Sequence, residues 1–170
     1  ATNQTDLDLF AAAKRYHKLL ELGREMGVTP QAELWGFSKS LSRLGELMFV
    51  AVESGHADAC LLPDVYHIYK GGSDFHGLKL INGRRVHVFH VNDYPAEPPR
   101  ETIGDADRVY PGDGIAPLNQ IFSDMYAAGF RGMLSLELFN REYWKQDALK
   151  VARTGLEKTR QAVRKAFADQ

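Results

Sequence analysis

Apolar and polar positions along the chain follow two spacings, one typical of helices and one typical of strands. Residues 6–26 carry apolar side chains at near-helical spacing, which predicts an amphipathic helix with Asp6 as its N-cap. Gly27 directly follows this segment and is a natural stop. Further helices are predicted over residues 38–54, residues 73–81 and residues 116–130, and from Asp147 onward.

Four shorter apolar runs lie between these helices. They are residues 31–35, 59–64, 84–93 and 132–139. Residues 59–64 form a continuous apolar run, as expected for a parallel strand covered on both faces, and residues 84–93 are rich in β-branched residues, which favour strands. Because each run is followed by a loop and a helix, the order predicts an α/β fold in which four parallel strands alternate with helices.

Composition and charge narrow the functional classes. The 170 residues suffice for one core and show no dividing linker, so we expect a single domain over residues 1–170. A net charge of −1 provides no basic field for a nucleic acid or an anionic membrane, and no apolar run could span a bilayer. The single cysteine, Cys60, has no intrachain disulfide partner, which favours a reducing, cytoplasmic compartment.

Each predicted strand carries one metal-binding group near its C-terminal end. Side chains alternate along a strand, and this alternation places Glu33, Asp64, His90 and Glu137 on one face of their strands. In α/β folds, sites form at this edge. Three carboxylates aimed at one centre repel one another unless a cation compensates them. Three carboxylates and one imidazole favour Mn²⁺ or Mg²⁺, with Co²⁺ or Zn²⁺ as alternatives.

Five segments together resemble a known family, the xylose-isomerase-like TIM barrels. These segments read AELWGF, LLPDVYH, VHVFHVND, DADRVYPGDG and MLSLELFN, and they span residues 31–144. The family contains sugar and sugar-phosphate isomerases and epimerases, with inosose dehydratase as a relative. Its barrel has eight strands, whereas four are predicted here. The resemblance therefore implies the C-terminal half of a (β/α)8 TIM barrel, and we expect the chain to be a fragment of a longer protein.

The resemblance also implies roles for individual residues. The metal ligands would be Glu33, Asp64, His90 and Glu137. The two glutamates would in addition form an acid–base pair that moves a proton next to a carbonyl through an enediolate. His67, three residues after Asp64, would contact substrate.

Three further residues are candidate substrate contacts. The resemblance implies that Arg108, which precedes the PGDG segment at 111–114, contacts substrate oxygens. Trp35 shares the ligand face of its strand, which favours a place in the sugar pocket over a place in the core. Lys39 stands where the ketose 3-epimerases have an acid, so we expect it to meet a phosphate or carboxylate.

Several alternatives remain open from the sequence. A dehydratase on the same metal scaffold would eliminate water from the enediolate, and an isolated half-barrel would associate without turning over substrate. Asp93 either orients His90 or caps a loop, and Asp105, Asp107 and Arg108 are candidates for an ion pair within the loop. We expect a small sugar or sugar phosphate as substrate and no nucleic acid or membrane partner. We also expect a homo-oligomer, or pairing with the missing N-terminal half.

Overall fold

The computed structural model of the protein describes residues 7–168, in which four parallel strands alternate with helices. The strands are β1 (Ala32–Glu33), β2 (Leu61–Leu62), β3 (Val88–Val91) and β4 (Met133–Leu136). The helices are α1 (Leu9–Met26), α2 (Leu44–Glu53), α3 (Val65–Lys70), α4 (Leu118–Ala127), α5 (Arg141–Trp144) and α6 (Ala148–Ala166). Short 3₁₀ helices occupy Phe75–Leu80, Gly83–Arg85 and Asp105–Asp107. Within these residues no helix combines the length and the apolar character needed to cross a membrane.

The strands lie side by side in chain order. β1 pairs in parallel with β2, and β3 pairs in parallel with β4. Isolated parallel bridges between Leu61 and Val86 and between Asp64 and His90 join the two pairs. Parallel neighbours need crossover connections, and the helices between the strands provide them. All four strands therefore end at the same edge of the molecule.

The core lies between the strands and the helices that cover them. Its centre is aliphatic and aromatic, and α4 packs against both α6 and the 3₁₀ helix Phe75–Leu80. Side chains that are almost fully enclosed there come from strands, helices and loops alike: Leu34, Leu47, Val65, Ile68, Leu78, Phe89, Val91, Ile103 and Ile121. A second, smaller cluster holds α1 against α2 through Tyr16, Leu20, Leu41 and Val50.

Helix α1 begins later than the sequence suggested. The Asp8 side chain caps it by accepting a hydrogen bond from the Phe10 N–H, whereas the predicted cap, Asp6, lies outside the described residues. Its end is as predicted, because Gly27 adopts a left-handed φ of 68°. A glycine takes that conformation without the steric cost that a Cβ would bring.

The predicted start of the second helix at residue 38 is wrong, since α2 begins at Leu44. Side-chain acceptors take up backbone N–H donors of residues 38–43 that a helix would use. The Ser38 hydroxyl accepts from the Leu41 N–H, and the Glu46 carboxylate accepts from the Arg43 N–H at 2.8 Å. Such local hydrogen bonds compete with helix formation and favour turns and caps.

Asp93 organises the long loop after β3. Its buried carboxylate accepts hydrogen bonds from the N–H groups of Tyr94 (2.8 Å), Gly112 (2.9 Å) and Ala116 (2.9 Å). Of the two roles predicted for Asp93, the contacts support the capping of a loop. The PGDG glycines are required for different reasons. Gly112 has a φ of 88°, whereas a Cβ on Gly114 would overlap the Tyr94 carbonyl oxygen and the Asp93 carboxylate.

Replacing Gly114 by alanine should therefore disrupt this loop. We expect Gly114→Ala to lower the free energy of unfolding by about 3 kcal/mol, because the new methyl group meets backbone that cannot move aside easily. Gly45→Ala is the matched control, since nothing lies within 4 Å of its Cβ position in α2. Urea denaturation should show the control unchanged or stabilised by about 0.5–1 kcal/mol. Equal stability of Gly114→Ala and wild type would contradict the overlap.

Candidate active site

Four side chains from four different strands meet at the C-terminal edge. Glu33 ends β1, Asp64 follows β2, His90 lies in β3, and Glu137 directly follows β4. One potential ligand atom from each of them lies within 4.8 Å of the others. The parallel alignment explains this convergence, because the C-terminal ends of neighbouring strands share one edge. The predicted meeting of these four side chains is thus observed, although their roles are not tested by it.

The donor set fits a divalent cation. His90 Nδ1 lies 3.1 Å from Glu33 Oε1, 3.7 Å from Asp64 Oδ2 and 3.6 Å from Glu137 Oε2. That nitrogen is buried and has no hydrogen-bond partner within residues 7–168. A buried polar atom without a partner is costly, and an imidazole nitrogen facing three carboxylates is the arrangement that a metal ion would satisfy.

The pKa values of the cluster reflect burial and mutual charge. Complete burial raises the pKa of the Asp64 carboxyl to about 6, although Arg108 and the hydrogen bond from the His67 N–H oppose the shift. Burial lowers the pKa of His90, but the neighbouring carboxylates Glu33, Glu137 and Asp64 outweigh it and raise the pKa above its usual value. Both pKa shifts arise because several acids pack around one imidazole in a site that is shielded from water.

Asp64 also caps a helix that the sequence did not predict. The carboxylate Oδ1 accepts a hydrogen bond from the His67 N–H at 2.8 Å, and α3 begins at Val65. An aspartate at the N-cap satisfies a backbone donor that the first helical turn leaves free. This cap directs one carboxylate oxygen to the helix and leaves the other, Oδ2, facing His90 and Arg108.

Arg108 is the largest fully buried side chain, and its guanidinium lies within the acidic cluster. Nη1 donates to Glu137 Oε2 at 2.8 Å and to Asp64 Oδ2 at 3.4 Å. Nη2 contacts Asp105 Oδ1 and lies 3.0 Å from His67 Nε2. The ion pair predicted within the loop is therefore present for Asp105, but the guanidinium also reaches two of the candidate metal ligands.

His67 is buried between two hydrogen-bond donors. Its Nδ1 lies 3.2 Å from the Gly36 N–H nitrogen, and its Nε2 faces the Arg108 guanidinium. Burial, reinforced by the charges of Arg108 and His90, lowers its pKa to about 3. The ring is therefore neutral at neutral pH and carries one N–H and one lone pair. It can accept a hydrogen bond from only one of its two neighbours.

The other two predicted contacts, Trp35 and Lys39, follow β1 in the chain. The Trp35 ring is half-buried, and its centroid lies 5.7 Å from that of Phe37, which in turn lies 6.2 Å from the His67 ring. Lys39 is exposed and makes no hydrogen bond or ion pair with residues 7–168. The structure thus brings Trp35 beside the aromatic group next to His67, and it does not bring Lys39 into the cluster. Substrate contact by either residue stays a prediction.

Comparison with known proteins identifies the family. A model of the xylose isomerase-like TIM barrel family matches residues 4–162, which is most of the chain. The chain belongs to this family. The resemblance seen in the sequence motifs is therefore confirmed.

Curated relatives of this xylose isomerase-like chain include inosose isomerases. The one from Bacillus velezensis is 28% identical over 158 residues, which cover 92% of this chain and 56% of the relative. The one from Bacillus subtilis is 28% identical over 151 residues, covering 88% and 54% respectively. The chain thus spans about half the length of these relatives.

Solved structures show the same fold. An IolI protein with a bound zinc atom superposes with a TM-score of 0.90 at 24% identity, over 98% of this chain and 61% of the other. An L-ribulose 3-epimerase superposes with a TM-score of 0.74 at 16% identity, over 99% of this chain and 60% of the other. The fold is therefore that of the xylose isomerase-like TIM barrels.

One residue of this xylose isomerase-like site was missed by sequence reasoning. Asn92 is fully buried, and its Oδ1 accepts from the Tyr66 N–H at 2.9 Å. Its Nδ2 donates to Asp64 Oδ2 at 3.1 Å and to the Glu137 carbonyl at 3.4 Å. Asn92 lies two residues after His90, so strand alternation places it on the same face, and this is the signal that could have found it. Asn92 links the Asp64 carboxylate to α3 and to the end of β4.

An acid in place of Asn92 should destabilise the metal-free protein. Asn92→Asp would put a further buried carboxyl beside Asp64, and both burial and repulsion would raise its pKa. A raised folded-state pKa for an acid means that stability is lost as the pH rises. Relative to wild type, we expect the free energy of unfolding to fall only slightly at about pH 4 and by about 3 kcal/mol at pH 7.

Chemical denaturation over this pH range in the presence of a chelator measures the effect. Asn82→Asp is the control, because Asn82 is exposed and caps a 3₁₀ turn, a role that aspartate fulfils equally well. A penalty independent of pH in Asn92→Asp would contradict the electrostatic reason.

Proposed function

We propose that this chain forms the C-terminal half of a divalent-metal-dependent sugar or sugar-phosphate isomerase or epimerase. One observation carries the proposal, the convergence of Glu33, Asp64, His90 and Glu137 within 4.8 Å of one another. The inosose isomerases among the relatives support the reaction class. Because the chain spans only 54–56% of those relatives, the rest of the barrel would come from the remainder of a longer protein.

The four converging side chains would hold one divalent cation. When bound, such an ion polarises substrate oxygens and stabilises the negative charge that develops next to a carbonyl. The oxygen-rich ligand set favours Mn²⁺ or Mg²⁺. Zn²⁺ should also be tested in metal titrations, since the IolI structure contains zinc.

Glu33 and Glu137 are the proposed acid–base pair. Their side chains are 40% and 31% exposed, whereas that of Asp64 is completely enclosed. A carboxylate that exchanges a proton with substrate needs an accessible oxygen, so this difference supports two reacting glutamates and an aspartate that only binds metal. One glutamate would remove the proton beside the carbonyl and the other would return it to the enediolate, on the same or the opposite face.

The substrate would lie against the same edge. His67, Arg108 and Trp35 are the proposed substrate contacts around the metal. Lys39 is exposed on the segment after β1 and lies outside the four-residue cluster, so its proposed contact with a phosphate or carboxylate requires a substrate that extends beyond the cluster.

The proposal also concerns the face that the missing strands would cover. Met133 on β4 is 67% exposed and Phe139 is 38% exposed. Outer strands with unpaired backbone groups are templates for further strand pairing. We propose that the N-terminal half covers this face in the whole protein. The 170-residue chain alone would instead self-associate and would be inactive.

Metal binding is the first test of this function. In the full-length protein, we expect one tight Mn²⁺ site that Glu137→Gln and His90→Ala weaken at least about tenfold, because each removes one of four ligands. Isothermal titration calorimetry, repeated with Zn²⁺ and Mg²⁺, measures it. Glu142→Gln and His76→Ala, at exposed positions outside the cluster, are the controls. Wild-type affinity in both ligand variants would show that the ligand assignment is wrong.

Proton exchange is the second test. We expect Glu33→Gln and Glu137→Gln to reduce exchange of a substrate C–H proton with deuterated solvent by about 10²–10⁴-fold, the usual effect of removing a positioned base. NMR of candidate sugars and sugar phosphates in D₂O detects this exchange. Mass spectrometry of the product distinguishes isomerisation from dehydration, which removes one water. Retained exchange in a variant that still binds metal would exclude that glutamate from proton transfer.

A further inference from the structure

Arg108 occupies an unusual place for a permanently charged side chain. The guanidinium is only 1% exposed and contacts two of the four proposed metal ligands, Asp64 and Glu137. It also stacks on aromatic rings, with its central carbon 4.4 Å from the Tyr66 centroid and 5.0 Å from the Phe139 centroid. These contacts hold the charge inside the site.

The cation compensates charges that would otherwise be unpaired. Glu33, Asp64 and Glu137 surround His90; the fully enclosed Asp64 carboxylate would cost several kcal/mol without a counter-charge, whereas solvent screens the partly exposed glutamates. Arginine cannot relieve this by losing its proton, because its pKa lies too high. In the metal-free protein the guanidinium is therefore the permanent positive charge next to these acids.

The fit of Arg108 is nevertheless incomplete. Its Nε is buried and has no hydrogen-bond partner within residues 7–168. Its Nη2 is directed at His67 Nε2, and His67 must also accommodate the Gly36 N–H. A purely structural buried ion pair normally has all its donors satisfied. This pattern indicates a cation held chiefly by the attraction of the acids.

We propose that Arg108 is an internal counter-cation that competes with the divalent metal for the Asp64 and Glu137 carboxylates. This inference rests on the proposed metal site. A metal ion and a guanidinium drawn to the same oxygens repel each other, so the charge of Arg108 weakens metal affinity. The same charge keeps the metal-free protein folded until the metal binds.

Asp105 also affects the competition between Arg108 and the metal, because it pairs with the same guanidinium. Its carboxylate pairs with Arg108 Nη2, and its side chain is 36% exposed, in contrast to the enclosed Asp64. An acid at this position draws part of the guanidinium charge away from the ligands. Removal of the Asp105 charge leaves Arg108 paired more strongly with Asp64 and Glu137 and so makes metal binding weaker.

The test uses two pairs of variants in the full-length protein after removal of metal by a chelator. Arg108→Gln removes the charge and keeps a donor, whereas Arg108→Lys keeps the charge. Asp105→Asn is matched with Asp107→Asn, because Asp107 accepts from the Gly104 N–H and does not contact the guanidinium. Calorimetry gives the affinity for Mn²⁺, and thermal unfolding gives the shift of Tm on adding Mn²⁺.

Arg108→Gln should bind Mn²⁺ about tenfold more tightly than wild type and show a lower metal-free Tm with a larger Mn²⁺-induced rise. Arg108→Lys should stay close to wild type. Asp105→Asn should bind Mn²⁺ several-fold more weakly, and Asp107→Asn should match wild type. If Arg108→Gln does not fold without metal, the Mn²⁺ affinities of Asp105→Asn and Asp107→Asn test the inference.

Two results would overturn the inference. One is an Mn²⁺ affinity in Arg108→Gln that is equal to or weaker than wild type, and the other is an unchanged affinity in Asp105→Asn. Either result, with tight binding in wild type, leaves the proposed function intact. Absence of Mn²⁺, Zn²⁺ and Mg²⁺ binding by the wild-type protein would instead overturn the proposed function and the inference together.

Discussion

Three carboxylates converge on one imidazole nitrogen, and their mutual repulsion is the constraint on which the rest of the site depends. Glu33, Asp64 and Glu137 all lie within 4 Å of His90 Nδ1. Without compensation this arrangement would drive the strand ends apart. Arg108 provides one positive charge from the long loop, and the proposed metal would provide the rest. Electrostatic interactions thus link the long loop and the strand ends to the proposed metal site.

The same residues contribute to the fold and to the site. Asp64 caps α3 with one oxygen and faces His90 and Arg108 with the other. Asn92 ties the Asp64 carboxylate to the backbone of α3, and Asp93, its neighbour in sequence, fastens the loop that leads into Arg108. Because side chains alternate along a strand, adjacent residues at the end of β3 serve the site and the loop separately. Rigid positioning of this kind is what the proposed metal site would require.

This chain matches only part of the length of its relatives. It aligns with 54–56% of the length of the inosose isomerases. The four proposed ligands nevertheless all come from this part of the chain. Under the proposed function, the metal centre would lie wholly within this chain, and the proposed N-terminal half would close the barrel around the substrate.

The sequence by itself determined the alternation of strands and helices, the face of each strand on which the four converging side chains lie, and the family. These features are local or periodic, so the spacing of apolar residues and short motifs such as LLPDVYH reveal them. Tertiary structure decided the late start of α2, the existence of α3, the loop contacts of Asp93 and the burial of Arg108 among the proposed ligands. Each of these depends on atoms distant in sequence or on hydrogen bonds that compete with helix formation. The position of Arg108 is the clearest case, because its partners Asp64 and Glu137 lie 44 and 29 residues away, and only folding brings their charges together.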